Sequence, residues 1–242
     1  MRLTLLTVPA AIVLIAAPAL ADLETFEGPP GTVVAGELPQ GGTAPGTYFS
    51  GFTITVTNAG GGPNTCAIFD TEAPTGGDVD LGTPNVSCGG PGIGTGGTCH
   101  TCGVAQDDGP NCVSLRKALI IAEDLDDANG DDVLDDPDDE GDGGTIRFDF
   151  AEGIVPVDIT LLDIDNETAS VSLSAHTLSI RVDATDLGDN STQTIRLQGY
   201  GEFTSLEIVF SGSGAIAELE YEILLATEKE SWGRVKARYD GR

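Results

Sequence analysis

Between residues 144 and 221 the sequence consists almost entirely of short runs in which apolar and polar residues alternate. The seven runs are GTIRFDF, VDITLLDID, ASVSLSA, TLSIRVDA, TQTIRLQ, TSLEIVFS and GAIAELEY. Successive side chains of a β-strand point to opposite faces of its sheet, so each run predicts a strand with one buried face. Most runs are separated by Gly, Asp, Asn or Ser, which are typical of turns. Such even spacing favours an antiparallel sandwich over βαβ units.

The first half of the chain contains fewer strand candidates, with longer irregular stretches between them. The candidates are DLETFEGPPGTVV, TYFSGFTITVT, CAIFD and the apolar LII within SLRKALIIAED. We therefore predict one all-β domain over residues 22–227, an antiparallel jelly-roll sandwich of about ten strands. The 33 glycines of the chain fit many turns and few helices.

The N-terminal residues 1–21, MRLTLLTVPAAIVLIAAPALA, have the pattern of a secretory signal peptide. One arginine precedes an apolar core, and Ala19 and Ala21 form a small-residue cleavage site. No later run has eighteen consecutive apolar residues, so we expect no transmembrane segment in the mature chain. The expected location is secreted, extracellular or on the cell surface.

The chain is strongly acidic, with a formal net charge of −28. A surface of this charge repels nucleic acid and anionic membranes, so neither is an expected partner. Cations are the natural partners of such a surface.

Five cysteines lie within a Gly- and Cys-rich stretch and its preceding strand, and we predict that residues 71–113 form a long loop. They are Cys66, Cys88, Cys99, Cys102 and Cys112. Export makes disulfides the expected state, with one cysteine left over. The alternative is a zinc site built around the CHTC stretch, although no second C-x-x-C pair follows it.

An acidic loop is predicted over residues 123–143, where twelve of the first twenty positions are Asp or Glu. Five of its residues fall at positions 1, 3, 5, 9 and 12 of a calcium-loop frame: Asp127, Asn129, Asp131, Asp135 and Asp138. Calcium takes six to eight oxygen ligands, which such a loop can supply. Position 6 is Asp132 instead of glycine, and no helical pattern flanks the loop. The alternative is a flexible acidic turn that binds cations only diffusely.

Three stretches together resemble a family of exported bacterial β-sandwich domains of the galactose-binding-like or carbohydrate-binding-module-like type. They are FEGPPGTVV, IFDTEAPTGGDVDLGTPN and GDNSTQTIRLQGYGEFTSLEIVFSGSGAIAEL. The resemblance implies a jelly roll that is often calcium-stabilised and has no catalytic activity. The stretch from Cys88 to Cys112 departs from the family as an insertion, and Glu218 stands where Asp or Asn is common.

Two further groups of acids are candidate calcium ligands. The first group consists of Glu27, Asp78, Asp80 and Glu218. The resemblance implies that the first and last strands, which carry Glu27 and Glu218, meet at one edge. The alternative is that these acids cap turns. The second group follows two apolar strands and consists of Glu123, Asp124, Asp163 and Asp165. It either shares a cation with the acidic loop or faces water.

No nucleophile-and-base motif or phosphate-binding loop occurs in the sequence, and we expect no enzymatic activity. His176 lies in a predicted hairpin turn. A secreted hydrolase that uses a carboxylate pair is one alternative, because acid pairs are abundant. A carbohydrate-binding module is another, with an extracellular glycan or cell-surface component as partner. Its candidate aromatic residues are Tyr48, Tyr200, Phe203, Tyr221 and Trp232.

Residues 228–242 form a basic tail that contains five of the eleven Lys and Arg residues. Trp232, Val235 and Tyr239 fall on one face of a predicted short helix. The tail is either a mobile amphipathic segment or a sorting or docking signal. The whole sequence thus predicts an exported, calcium-stabilised, non-catalytic binding module or cell-surface structural module.

Overall fold

The computed structural model of the chain describes residues 21–95, 111–164, 169–175 and 178–224. The predicted signal peptide up to residue 20 and the basic tail with its predicted helix lie outside the described residues. So do Cys99, Cys102, Asp165 and His176. In the part that is described, no helix is long and apolar enough to cross a membrane.

The described residues form an all-β structure, which confirms the predicted fold class, with twelve strands instead of about ten. The strands are β1 (Ala21–Glu24), β2 (Val33–Glu37), β3 (Thr43–Pro45), β4 (Phe52–Asn58), β5 (Thr65–Asp70), β6 (Lys117–Ile121), β7 (Gly144–Leu162), β8 (Ala169–Ala175), β9 (Leu178–Asp183), β10 (Thr192–Arg196), β11 (Phe203–Phe210) and β12 (Ala215–Ile223). Two short 3-10 turns, Val79–Leu81 and Val86–Cys88, lie in the loop that follows β5.

Strand β7 is continuous over 19 residues and joins the two layers of the sandwich. Its first half pairs with β4 and β11, and its second half pairs with β10 and β12. All of these pairings are antiparallel. The sequence run GTIRFDF and the run VDITLLDID up to Leu162 therefore belong to one strand, where the alternation predicted two.

All twelve strands belong to one continuous hydrogen-bonded sheet with the main order β3-β2-β5-β6-β12-β7-β11-β8-β9, in which β1 also pairs with β12, and β4 and β10 also pair with β7. Strand β7 divides this sheet into one part with β4, β11, β8 and β9 and another part with the remaining strands. Phe148 on the first half of β7 and Leu161 on the second half are both fully buried in one apolar cluster, to which both parts of the sheet contribute. The expected meeting of the first and last strands also occurs, because β1 pairs with β12.

A second apolar cluster covers the outer face of the sheet that contains β5 and β6. Phe69 and Ile120 point into it, whereas their chain neighbours Ile68 and Leu119 point into the main core. The covering side chains are Leu81 from the cysteine-containing loop and Leu134 from the acidic loop. Both loops are therefore anchored by apolar burial. Because side chains pack on both faces of β6, its run LII is apolar throughout instead of alternating.

A disulfide between Cys88 and Cys112 closes part of the cysteine-containing loop. The sequence predicts disulfides but not which cysteines pair. A cysteine in a disulfide cannot bind zinc as a thiolate, so neither Cys88 nor Cys112 can be a ligand of a zinc site around the CHTC stretch. Cys66 lies on β5 as a free thiol that is fully buried, and burial raises its pKa far above the usual range. A buried neutral thiol acts as a small apolar side chain of the core.

Candidate functional site

A polar cleft of about 430 Å³ lies where the cysteine-containing loop, the acidic loop and the turn between β11 and β12 meet. Seven carboxylates line it, together with Gly141 and Ser213. They are Asp78, Asp80, Glu123, Asp138, Asp139, Glu140 and Asp142. None of the lining residues is Lys or Arg. We call this feature the acidic cleft.

The segments that carry these acids are held together by backbone contacts. The amide of Gly76 donates to Asp136 Oδ1 at 2.8 Å, and Thr75 Oγ1 donates to the carbonyl of Pro137 at 2.9 Å. Gly76 has φ +66°, and a Cβ there would lie 2.6 Å from Asp138 Cβ. Glycine is therefore required for this close approach. The amide of Glu123 donates to the carbonyl of Asp138 at 3.0 Å, which places the end of the acidic loop beside the end of β6.

Asp78, Asp138 and Asp139 form the first acidic triad, in which each residue offers a carboxylate oxygen within 4.8 Å of the others. Asp78 Oδ2 accepts a hydrogen bond from the amide of Asp139 at 2.6 Å. Asp139 Oδ2 accepts from the amide of Gly214 at 2.6 Å and from Ser213 Oγ at 2.9 Å. Residues distant in the sequence therefore converge on one point.

The three carboxyls of the first triad are difficult to ionise together. Burial, with the charges of Asp139 and Asp138 added, raises the pKa of Asp78 to about 9. Burial also raises the pKa of Asp139 to about 6, against the opposing effect of hydrogen bonds from Gly214 and Ser213. The pKa of Asp138 is raised, first by burial. A cation between these oxygens would remove this repulsion.

Asp80, Asp163 and Asp189 form a second acidic triad, again with carboxylate oxygens within 4.8 Å of one another. Asp163 is only 2% exposed and has φ +61°. Its Oδ1 accepts from the amide of Asn190 at 2.5 Å. A non-glycine residue in this region of φ is held there by its surroundings.

Ser213 lies between the two triads. Its Oγ is 2.9 Å from Asp139 Oδ2 and 3.2 Å from Asp163 Oδ2. A hydroxyl carries a single proton, so it donates to one of these carboxylates at a time. The orientations of Asp139 and Asp163 are thereby linked.

The first residue of the calcium-loop frame, Asp127, is engaged in local hydrogen bonds and does not line the acidic cleft. Asp127 accepts hydrogen bonds from Gln40 and from the amides of Gly130, Asp131 and Asp132. Slight desolvation would raise its pKa, but these four hydrogen bonds lower it below the usual value.

The other members of the frame are engaged in similar local contacts. Asp135 accepts from the amide of Ala128 at 2.7 Å and from the side chain of Asn129 at 3.1 Å. Asp131 accepts from the amide of Val133 at 3.1 Å. Only the last member of the frame, Asp138, lines the acidic cleft. The local fold of the frame thus rests on turns that its own carboxylates cap.

The other predicted ligands are distributed as follows. Asp78 lies in the first triad, and Asp80 and Asp163 lie in the second, whereas the sequence grouped Asp78 with Asp80 and placed Asp163 in another group. Glu27 is instead paired with Arg116 at 3.2 Å, and Glu218 accepts from Thr160 Oγ1 at 3.3 Å. Neither lines the acidic cleft. Asp124 accepts from the amide of Asp126 at 3.0 Å.

Sequence reasoning missed Asp139, Asp189, Ser213 and Asn190. Asp139 follows the predicted ligand Asp138 in a run of acidic residues, so nothing in the sequence distinguished it from its neighbours. Asp189 and Asn190 occur in GDNS, which has the composition of an ordinary turn. Their role depends on tertiary contacts between loops.

Of the aromatic residues that the sequence offered for sugar stacking, the four that the structure describes do not line the acidic cleft. Phe203 and Tyr221 are buried, whereas Tyr48 and Tyr200 are 47% and 40% exposed. Trp232 lies outside the described residues. The cleft itself can bind a cation or hydrogen-bond donors, because its lining is dominated by acceptor oxygens.

Comparisons with known proteins add little to this geometry. No protein-family model matches the chain, and no curated protein matches it. Among solved structures, the chain is similar to CpGH89CBM32-6 of Clostridium perfringens, with 14% sequence identity over 36% of this chain and 73% of that chain. The TM-score of 0.28 is too low for this likeness to support a statement about function.

Proposed function

We propose that the protein is an exported, non-catalytic binding or cell-surface module whose sandwich is stabilised by calcium in the acidic cleft. The observation that carries the proposal is the first triad, three desolvated carboxylates whose oxygens lie within 4.8 Å of one another. No Lys or Arg lines the cleft to neutralise them. A divalent cation is the simplest source of compensating charge.

The donor set fits a hard cation. The lining residues offer carboxylate, hydroxyl and backbone oxygens, and neither His nor Cys is among them. Calcium binds oxygen ligands in flexible geometry with six to eight partners, whereas zinc prefers nitrogen and sulfur. Magnesium requires a near-ideal octahedron and releases its waters reluctantly. Asp78, Asp138 and Asp139 would hold the cation, and the cation would supply charge neutralisation and cross-linking.

The expected effect is structural, because the triad joins separate parts of the chain. Asp78 belongs to the cysteine-containing loop, and Asp138 and Asp139 belong to the acidic loop. Through Ser213, Asp139 also contacts the turn before β12. A cation bound at this junction would fix both covering loops against the sheet.

Export is proposed from the N-terminal pattern of residues 1–21, and the Cys88–Cys112 disulfide is compatible with an oxidising compartment. For the ligand of the module, we propose an extracellular glycan or another cell-surface component. The support is the acidic surface, which disfavours nucleic acid and anionic membranes.

The decisive measurement is a thermal melt of the mature protein in calcium, in EDTA and in magnesium at 0.15 M NaCl. A ligand at one hundred times its dissociation constant adds about 2.7 kcal/mol of stability. For a chain of this size, that corresponds to a rise in Tm of roughly 5–11 °C. An unchanged Tm in calcium would overturn the proposal.

A further inference from the structure

The disulfide-closed loop contacts the acidic cleft through three buried asparagines. Asn85, Asn111 and Asn190 are each at most 1% exposed. Asn190 Oδ1 accepts hydrogen bonds from Asn85 Nδ2 at 2.6 Å and from Asn111 Nδ2 at 3.1 Å. Asn85 lies just before the 3-10 turn that ends at Cys88, and Asn111 directly precedes Cys112. The disulfide therefore holds together the two segments that supply both donors.

Asn190 is connected to the first triad by two routes. Its Nδ2 donates to the carbonyls of Asp80 and Gly82, the latter at 2.8 Å, and so fixes the 3-10 turn that Asp78 precedes. Its backbone amide donates to Asp163 Oδ1, and Asp163 Oδ2 shares the hydroxyl of Ser213 with Asp139. Two of the three triad carboxylates are thus held in place through Asn190.

The packing around Asn190 leaves little room for another arrangement. A Cβ on Gly94 would lie 2.5 Å from Asn190 Cβ, and a Cβ on Gly92 would lie 2.8 Å from Asn190 Nδ2. Asn190 itself has φ +62°, a region in which asparagine is enriched among non-glycine residues. The glycine-rich stretch after Cys88 therefore lets the loop backbone lie directly on this asparagine.

We propose that Asn85, Asn111 and Asn190 are positioning residues for the cation site, and that the Cys88–Cys112 disulfide sets calcium affinity through them. The inference rests on the proposed function, because it concerns the same triad. Groups that orient metal ligands affect affinity strongly, and their loss typically weakens binding by 10- to 100-fold. With the disulfide absent, the direct link between Asn85 and Asn111 is reduced to the hydrogen bond from the amide of Asn85 to the carbonyl of Asn111 at 2.7 Å, and the two donors to Asn190 are held less firmly.

The test compares calcium dissociation constants, measured by calorimetric titration, for the mature wild type and two variants. The double variant Cys88→Ala/Cys112→Ala removes the disulfide without the use of a reductant. The variant Asn85→Ser keeps a side-chain oxygen for the amide of Ser87, which Asn85 caps at 2.8 Å, but it removes the donor to Asn190. Both should bind calcium about 10- to 100-fold more weakly.

Cys66→Ala is the matched control, because it removes a buried thiol from β5 that belongs to the main core. It should lower Tm in EDTA and leave the calcium dissociation constant unchanged. If Asn85→Ser and the double variant bind calcium as tightly as the wild type, the inference is overturned while the proposed function stands. If the wild type binds no calcium, both fail. Should the double variant not fold, Asn85→Ser alone decides between these outcomes.

Discussion

At Asp139, one carboxylate oxygen accepts hydrogen bonds from the amide of Gly214 and the hydroxyl of Ser213, while the residue is only 6% exposed. Its own amide donates to Asp78. Buried carboxylates that are this well oriented are costly to ionise without a compensating charge. The effects of single substitutions in the triad should therefore depend on whether a cation is present.

Asp78→Asn should stabilise the cation-free protein and abolish the effect of calcium. The amide cannot ionise, so the folded state no longer has to bind a proton or hold a charge at this position, and it keeps an oxygen that accepts from the amide of Asp139. We expect a gain of about 1 kcal/mol in EDTA, or roughly 2–4 °C in Tm, and no further rise with calcium. Asp131→Asn is the control, because Asp131 belongs to the calcium-loop frame but not to the cleft. A full calcium response in Asp78→Asn would contradict this prediction.

The cation-free protein should lose stability as the pH rises from 5.5 to 8.5. The pKa values of Asp78 and Asp139 are raised to about 9 and about 6, above the unfolded value of 3.8, so the folded state binds more protons in this window. Their contribution is fully present below pH 4 and is lost as the pH rises through the folded pKa values. Urea midpoints measured in EDTA check the slope.

Saturating calcium should remove most of this pH dependence, because the cation takes over the role of the bound proton. Asp78→Asn should flatten the dependence of stability on pH in EDTA, because its amide does not titrate. A slope that is identical in wild type and Asp78→Asn would show that the titration arises elsewhere.

Among the structural elements, the two covering loops differ most from ordinary surface connections. Each contributes a leucine to the second apolar cluster, Leu81 from one loop and Leu134 from the other. The amide of Leu134 also donates to the carbonyl of Gly31 at 2.9 Å. The acidic loop is therefore fixed at its centre, and its end reaches the cleft in a defined position.

Leu134→Ala should destabilise the protein by about 2–3 kcal/mol, since Leu134 is 4% exposed and its removal leaves a cavity under the loop. Leu125→Ala is the control, because Leu125 is only partly buried against the same cluster. It should cost less than half as much. Urea unfolding in saturating calcium measures both variants, and equal losses would contradict an anchoring role that is specific to Leu134.

Local alternation was sufficient to predict most strands, because each residue's face in a sheet follows directly from its position in the run. It was wrong at β7, where Ala151 and Glu152 are both exposed and break the period while the strand continues. The acidic cleft was harder to predict from the sequence. Asp163 could be chosen as an acid at a strand end, Asp78 and Asp80 through the family resemblance, and Asp138 through the spacing of the calcium-loop frame. Their grouping depends on how two loops cross the sheet. Spacing within the acidic loop instead favoured a local calcium loop.

For the whole molecule, the net charge of −28 opposes compaction, and this repulsion is screened by salt. The Debye length falls from about 10 Å at 0.1 M to about 3 Å at 1 M ionic strength. In EDTA, Tm should therefore rise when NaCl increases over this range.

Calcium at about 1 mM should raise Tm through the cleft and not through ionic strength, since it changes the Debye length very little at 0.1 M NaCl. Additional NaCl of equal ionic strength is the control and should have no measurable effect. A calcium response that magnesium reproduces in full would indicate diffuse binding to the acidic surface instead of a site.

Strand β7 has one more consequence, which concerns the order in which the chain can fold. Its first half needs β4 from residue 52 onward, and its second half needs β12, which ends at Ile223. Because β7 pairs with strands far from it on both sides in the sequence, the sheet cannot be completed until nearly the whole described chain is present, and pairings of such long sequence separation are slow to form. The two layers should therefore fold and unfold as a single cooperative unit, with no stable half-sandwich in between.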